Sequence, residues 1–198
     1  MERWRAALRE LGVAAAEVKW RYAAFELDPT IPLEGVDARA YLEAKYDAAA
    51  VAAMHSRLVE VLAAEGLPVR DLAALGLRPN TFAAQRLLTA ALADGAGVQQ
   101  ALADGLFRAY WVDGADIGAH DVLVEIARAA GMAGDRARDA LSSDHFAAAV
   151  REEERRAQQA GIHAVPTFVI DGRFAVSGAQ PPAALMQAVR QALAAAER

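Results

Sequence analysis

The feature that limits the choice of fold most is a pair of short apolar runs near the end of the chain. Residues 167–170 and 174–176 are apolar, and Asp171-Gly172 stands between them. Asp-Gly in this setting is a strong hairpin signal, because a type I′ turn needs a positive φ at both central residues. Pro166 precedes the first run, where a proline can open a strand without donating to its ladder. The segment therefore predicts an antiparallel hairpin.

A second candidate strand lies near the beginning of the chain, over residues 17–27. Val18, Trp20 and Tyr22 alternate there with the basic residues between them. A period of two is typical of a strand with one buried face. We therefore predict a strand that is distant in sequence from the hairpin.

Helical periodicity fills most of the remaining chain. A short amphipathic pattern begins at Trp4 and ends at Gly12, and a long one begins at the N-cap candidate Asp37 and continues to about residue 65. Further helices are predicted to begin near Asn80-Thr81, to cover residues 99–111, 120–130 and 135–141, to run from Ser143 to Gly161, and to follow Pro181-Pro182. Five or six consecutive helices thus separate the predicted strand from the predicted hairpin.

The absence of cysteine limits the chemistry. None of the 198 residues is a cysteine, so the chain as written supplies no disulfide, thiolate nucleophile or thiolate metal ligand. The four histidines show no metal-ligand spacing, and no metal site is predicted.

Charge and hydropathy exclude other classes of partner. A net charge of −5 argues against a nucleic-acid surface and against adhesion to anionic membranes. No apolar run is long enough for a membrane span, and the N-terminus begins an amphipathic pattern rather than a signal peptide. We expect a cytosolic protein.

Several stretches together resemble the DsbA-like branch of the thioredoxin fold and, within it, the FrnE-type oxidoreductases. The strongest is Val165-Pro166-Thr167-Phe168, followed by the Asp-Gly turn and by Ser177-Gly178-Ala179-Gln180-Pro181. Asn80-Thr81-Phe82-Ala83-Ala84-Gln85-Arg86-Leu87 also matches, except that Gln85 stands where the family usually has histidine. Leu106-Phe107-Arg108-Ala109-Tyr110-Trp111 with Asp116-Ile117-Gly118 extends the likeness.

The resemblance implies an α/β, thioredoxin-like fold of the DsbA type, with a large all-helical insertion and the first strand missing. The whole chain, 1–198, is then one domain. Its thioredoxin part comprises residues 1–35 and 161–198, and the helical insertion covers residues 36–160. The resemblance also implies that the Val165–Pro166 peptide bond is cis.

The family begins with a strand and a Cys-x-x-Cys at a helix N-terminus, and this sequence opens after that point. Such a helix end lowers the thiol pKa and so supplies the thiolate that disulfide exchange needs. We expect the chain as written to be inert in thiol chemistry. The position of the missing strand is then filled by the strand near residue 20, by a partner, or by an upstream segment lost through a late start or a truncated gene; we favour the last.

The resemblance implies a thiol–disulfide oxidoreductase homologue with no catalytic residue left in this chain. Its substrate-binding residues would be Val165, Pro166 and Thr167, with His163 near them, and its substrate a protein or glutathione thiol or disulfide. Alternatives are a pseudo-enzyme that binds glutathione or a peptide, and a glutathione-dependent isomerase of the 2-hydroxychromene-2-carboxylate type. No bound cofactor is expected, and a homodimer is left open.

One charged stretch has a simple interpretation. Glu152-Glu153-Glu154-Arg155-Arg156 is interpreted as a solvated helix face, with Glu152 and Arg156 spaced for an i,i+4 pair.

Overall fold

The structure, a computed structural model, describes residues 2–14, 18–68 and 76–196. The chain forms two compact units. Unit 1 comprises Met1–Trp20 and Arg155–Arg198, and unit 2 comprises Arg21–Glu154.

Helices account for most of the described secondary structure. In chain order the elements are α1 (Glu2–Glu10), β1 (Val36–Asp37), α2 (Ala38–Lys45), α3 (Ala48–Ala64), β2 (Leu77–Arg78), α4 (Phe82–Asp94), α5 (Ala96–Arg108), a π-helix (Ala109–Asp113), α6 (His120–Ala129), α7 (Gly134–Ser142), α8 (Asp144–Gln159), β3 (Thr167–Ile170), β4 (Phe174–Ser177) and α9 (Pro182–Ala196).

The predicted hairpin is confirmed in unit 1. Strands β3 and β4 pair antiparallel, with Thr167 opposite Ser177 and Ile170 opposite Phe174. Asp171 and Gly172 have φ values of 51° and 68°, as the predicted turn requires. The N–H of Arg173 donates to the carbonyl of Ile170 at 3.0 Å. The loop therefore contains Arg173 in addition to the two turn residues, and β4 begins after it.

Helices α1 and α9 supply the core against which the hairpin packs. Trp4, Ala7 and Leu8 of α1 and Leu185 and Val189 of α9 are buried. The side chains of the hairpin that pack against this cluster alternate along the two strands, as expected when one face of a sheet is covered; they are Phe168, Ile170 and Val176.

The core of unit 2 lies among four helices. Leu87 of α4, Leu102 of α5 and Leu123 of α6 are fully buried, and Leu141 of α7 joins them. Small residues at helical spacing, mainly alanines, fill the positions between these leucines and allow the helices to approach closely. A two-residue pairing of β1 with β2 completes this unit.

The strand predicted over residues 17–27 is wrong over residues 18–27, and Glu17 lies outside the described residues. Tyr22, Ala24 and Glu26 do not pair with a strand, because side chains from helices satisfy their backbone groups. The amide of Gln99 accepts from the N–H of Tyr22 and donates to its carbonyl, both at 2.9 Å. Alternating apolar residues therefore mark an extended segment here, but not a sheet member.

Side chains also take the place of a neighbouring strand at two further backbone N–H groups of the segment. The N–H of Ala24 donates to Oε2 of Glu153 at 2.8 Å, and that of Glu26 donates to Oε1 of Glu154 at 3.1 Å. Both carboxylates belong to α8. We refer below to residues 21–27 as the extended segment.

The single helix predicted from residue 37 to residue 65 is two helices. The first of them ends at its C-cap Tyr46, whose backbone is extended. Asp47 then caps α3, because its carboxylate accepts a hydrogen bond from the N–H of Ala50 at 2.7 Å. A capping aspartate competes with helix continuation because its carboxylate satisfies the free N–H groups of a new helix start. Likewise, the helix predicted to end at Trp111 leaves the α-helical pattern at Ala109, where the π-helix begins.

Replacing Asp47 by alanine should destabilise α3. The expected loss is about 0.5–2 kcal/mol of unfolding free energy, because the first turn loses its side-chain acceptor. Urea unfolding followed by circular dichroism measures it. Asp47→Asn keeps an acceptor and should stay near the wild type; equal losses in both variants would contradict a capping role.

Candidate functional site

The conspicuous surface feature of unit 1 is the corner at which the chain enters β3. His163, Ala164, Val165 and Pro166 are all exposed, and Val165 keeps 48% of its accessible area. The Val165–Pro166 peptide bond is cis. The corner comprising these four residues and Thr167 is called the proline corner below.

Two hydrogen bonds fix the shape of the proline corner. The hydroxyl of Thr167 donates to the carbonyl of Ala164 at 2.8 Å. The N–H of Gly178 donates to the carbonyl of Pro166 at 2.7 Å, so β4 holds the corner from the other side. Within the described residues, the N–H and C=O of Val165 have no hydrogen-bond partner. An exposed, unpaired peptide unit thus stands on a fixed support.

The outer edge of β3 continues this unpaired surface. Residues of an antiparallel pair alternate between those that exchange backbone hydrogen bonds and those that do not. The bond from Gly178 to Pro166 sets this alternation, so Phe168 bonds to β4. The N–H and C=O groups of Thr167 and Val169 therefore point away from β4, and across the described chain they have no strand partner.

In the described part of the chain, neither a charge nor a strand partner covers the outer edge of β3. Val169 is 54% exposed, and neither Thr167 nor Val169 is charged. Natural edge strands are commonly protected by lysine, proline or a bulge. The edge of β3 can therefore accept an extended chain through its backbone.

Trp4 supports β3 from below. Its ring lies 5.1 Å from that of Phe168 and 6.0 Å from that of Trp20, centroid to centroid. The indole is buried, and its N–H has no acceptor. On the same helix, Arg3 donates to the carbonyl of Ala179 at 2.6 Å, which ties α1 to the loop after β4.

The structure brings the four residues singled out from the sequence into one corner. Val165, Pro166 and Thr167 form its centre, and exposed His163 leads into it. The outward groups of Val169 extend the corner and were missed, although the alternation along residues 165–169 indicates them. Gln85 lies elsewhere, in unit 2, where its amide donates to the carbonyl of Phe25 at 3.2 Å; it is thereby a structural partner of the extended segment.

The described residues contain no group of three histidine, cysteine or acidic side chains placed to hold a metal ion. In the part of the chain that the structure describes, no helix combines the length and apolar content needed to cross a bilayer.

Comparison with known families decides the classification. The model of the DSBA-like thioredoxin domain matches residues 3–190. The chain belongs to the DSBA-like thioredoxin domain family. The DsbA-like thioredoxin fold expected from the sequence is confirmed by this match.

Solved structures agree with the DsbA-like assignment. A probable DsbA oxidoreductase from Streptomyces coelicolor is 32% identical, with a TM-score of 0.86 over 97% of this chain and 82% of that one. A structure from Nitrosomonas europaea, described as a proposed protein disulfide isomerase, is 18% identical with a TM-score of 0.67 and covers 96% of this chain and 90% of that one; at this identity it supports the fold alone. No curated protein sequence matches the chain.

Proposed function

We propose that this DsbA-like chain is a FrnE-type thiol–disulfide oxidoreductase homologue that keeps the substrate-binding side of the site and, as written, has no redox activity. The observation that carries the proposal is the unpaired, exposed peptide unit of Val165 in the proline corner. Its N–H and C=O are available to an extended substrate, which would bind by strand addition.

The edge of β3 supports an extended polypeptide as the substrate. Beyond Val165, the outward backbone groups of Thr167 and Val169 offer further hydrogen bonds in the same direction. Each exposed backbone hydrogen bond contributes about 0.5–1.5 kcal/mol, so several in a row give useful affinity without any side-chain specificity. The exposed valines at 165 and 169 favour apolar residues beside the bound strand.

The composition supports the proposed lack of redox activity in the chain as written. Disulfide exchange proceeds through a thiolate that attacks a disulfide sulfur, and the chain contains no cysteine. The same corner therefore also supports the second candidate, a module that binds a peptide or glutathione without turnover. The intact, unpaired corner in a chain without cysteine is the observation that favours it.

An insulin-reduction assay tests the catalytic part of the proposal. The chain as written should not accelerate insulin precipitation by dithiothreitol above the uncatalysed rate. A version extended at its N-terminus by the upstream codons should accelerate it if those codons encode Cys-x-x-Cys. Activity of the unextended chain would contradict the proposal, and inactivity of an extended chain that does carry the motif would favour the binding module.

A peptide-binding assay tests the corner itself. A fluorescein-labelled, eight-residue peptide rich in valine and threonine, with serine in place of cysteine, should bind as a strand. N-methylation of alternate peptide amides should weaken binding by up to about tenfold for each lost bond. Methylation of the other set of alternate amides is the matched control and should leave the affinity unchanged. Equal loss with both sets would exclude strand addition.

A further inference from the structure

The extended segment is bonded to residues 151–154 of α8 inside unit 2. The chain passes from unit 1 to unit 2 between Trp20 and Arg21, and returns between Glu154 and Arg155. Within unit 2, the backbone of Ala24 and Glu26 is bonded to side chains of Glu153 and Glu154.

Three side chains form the centre of this contact. The carboxylates of Glu26 and Glu154 are both buried, with 7% and 8% of their residue area exposed. Nη1 of Arg151 donates to Oε2 of Glu26 at 2.5 Å and to Oε2 of Glu154 at 2.8 Å. The same guanidinium lies 4.0 Å above the ring of Phe82. Glu26, Glu154 and Arg151 thus form one charged cluster.

The charges in this cluster do not balance. Two buried carboxylates face one guanidinium, so one negative charge is left with little solvent around it. An uncompensated buried charge is costly, and a carboxyl group in this position tends to take up a proton instead. Burial raises the pKa of Glu26 above its ordinary value, and the charge of Glu154 adds to that effect against the opposing hydrogen bond from Arg151.

The neighbouring charged groups do not remove the imbalance. Glu153, also on α8, is engaged by Arg21 in an ion pair and by the N–H of Ala24. On α4, the guanidinium of Arg86 is directed to the carbonyl of Ser143 at 2.9 Å. The groups that act on Glu26 are therefore Arg151 and Glu154.

We propose that Glu26, Glu154 and Arg151 form a proton-operated clamp on the extended segment. With the carboxyl group of Glu26 protonated, the N–H of Glu26 stays bonded to Glu154 and the segment stays on α8. When that proton leaves, two like charges share one arginine, and the extended segment loosens. The proposal does not depend on the substrate or on the redox chemistry.

The sign of the pH dependence follows from the raised pKa. Stability from the protonated carboxyl group of Glu26 is fully present below the ordinary glutamate pKa of about 4.3. It is lost as the pH rises from there through the raised pKa of Glu26 in the folded chain. The amide hydrogens of Ala24 and Glu26 should accordingly lose protection over that interval.

Hydrogen exchange of these two amides in Glu26→Gln tests the clamp. Glutamine resembles the protonated acid, so the variant should keep its protection where the wild type loses it, after correction for the intrinsic rate. The expected wild-type loss is about tenfold for each unit by which the pKa is raised. The same pH dependence in both proteins would overturn the proposal.

A matched variant and a direct titration complete the test. Glu153→Gln changes the α8 carboxylate that accepts the N–H of Ala24 and is paired with Arg21, outside the clamp. The wild-type pH dependence of the Glu26 amide should therefore remain. Titration of the side-chain carboxyl carbon of Glu26 by NMR needs no variant and should give a midpoint above about 4.3. A midpoint at or below that value would overturn the clamp even if Glu26→Gln failed to fold.

Discussion

Replacing Gln99 by leucine should lower the unfolding free energy by about 2–6 kcal/mol. The side chain of Gln99 is fully buried, and its amide satisfies both the N–H and the C=O of Tyr22. Leucine has a similar volume but no polar atoms, so the part-buried N–H and C=O of Tyr22 would both lose the amide of Gln99. Losing the partner of such a group costs about 1–3 kcal/mol. Few single substitutions away from the helical core should have a larger effect.

Urea unfolding of Gln99→Leu and Gln100→Leu separates this effect from a general loss of polarity. Gln100 is half-buried and bonds to the hydroxyl of Tyr22 and to the carboxylate of Asp104, which solvent can replace. Its substitution should cost about 1 kcal/mol or less. Similar losses in the two variants would show that Gln99 does not replace a strand.

Truncating Trp4 to alanine should destabilise unit 1 by about 3–5 kcal/mol. Only 4% of Trp4 is exposed, and its ring contacts both Trp20 and Phe168. Removal would leave a cavity beneath β3, so the proline corner should also bind the test peptide more weakly. Unfolding can be followed by near-ultraviolet circular dichroism, which reports the packing of the remaining aromatic rings.

Trp4→Phe is the matched control for that prediction. Phenylalanine keeps an aromatic ring against Phe168 and removes the indole N–H, which is buried without an acceptor. Losing an unsatisfied donor offsets part of the lost packing, so the cost should be less than half of that of Trp4→Ala. Equal costs would mean that the indole N–H is satisfied in solution.

The elements predicted correctly are those that local chemistry determines. Asp171 and Gly172 both have positive φ, as their turn type requires, and Gly12 and Gly161 follow the ends of α1 and α8 with φ values of 71° and 74°. A glycine adopts these angles without the steric cost that a Cβ would add. The proline corner could be located for the same reason, since its signal lies within a few adjacent residues.

The elements predicted wrongly depend on residues that are distant in sequence. The extended segment has the alternation of a strand, but Gln99, Glu153 and Glu154 take the place of its neighbours, and nothing in residues 17–27 indicates this. Glu154, interpreted as part of a solvated helix face, is buried against Glu26. A pattern with one charged residue per turn does not show which carboxylate a remote backbone N–H will reach.

The open edge of β3 also has a consequence for handling the purified protein. If the edge binds extended chains as proposed, it also fits the same edge of another molecule, because neither a charge nor a proline interrupts residues 167–170. Turbidity and apparent size should therefore rise with protein concentration and with storage time. Dilute samples are the natural remedy before any affinity is measured.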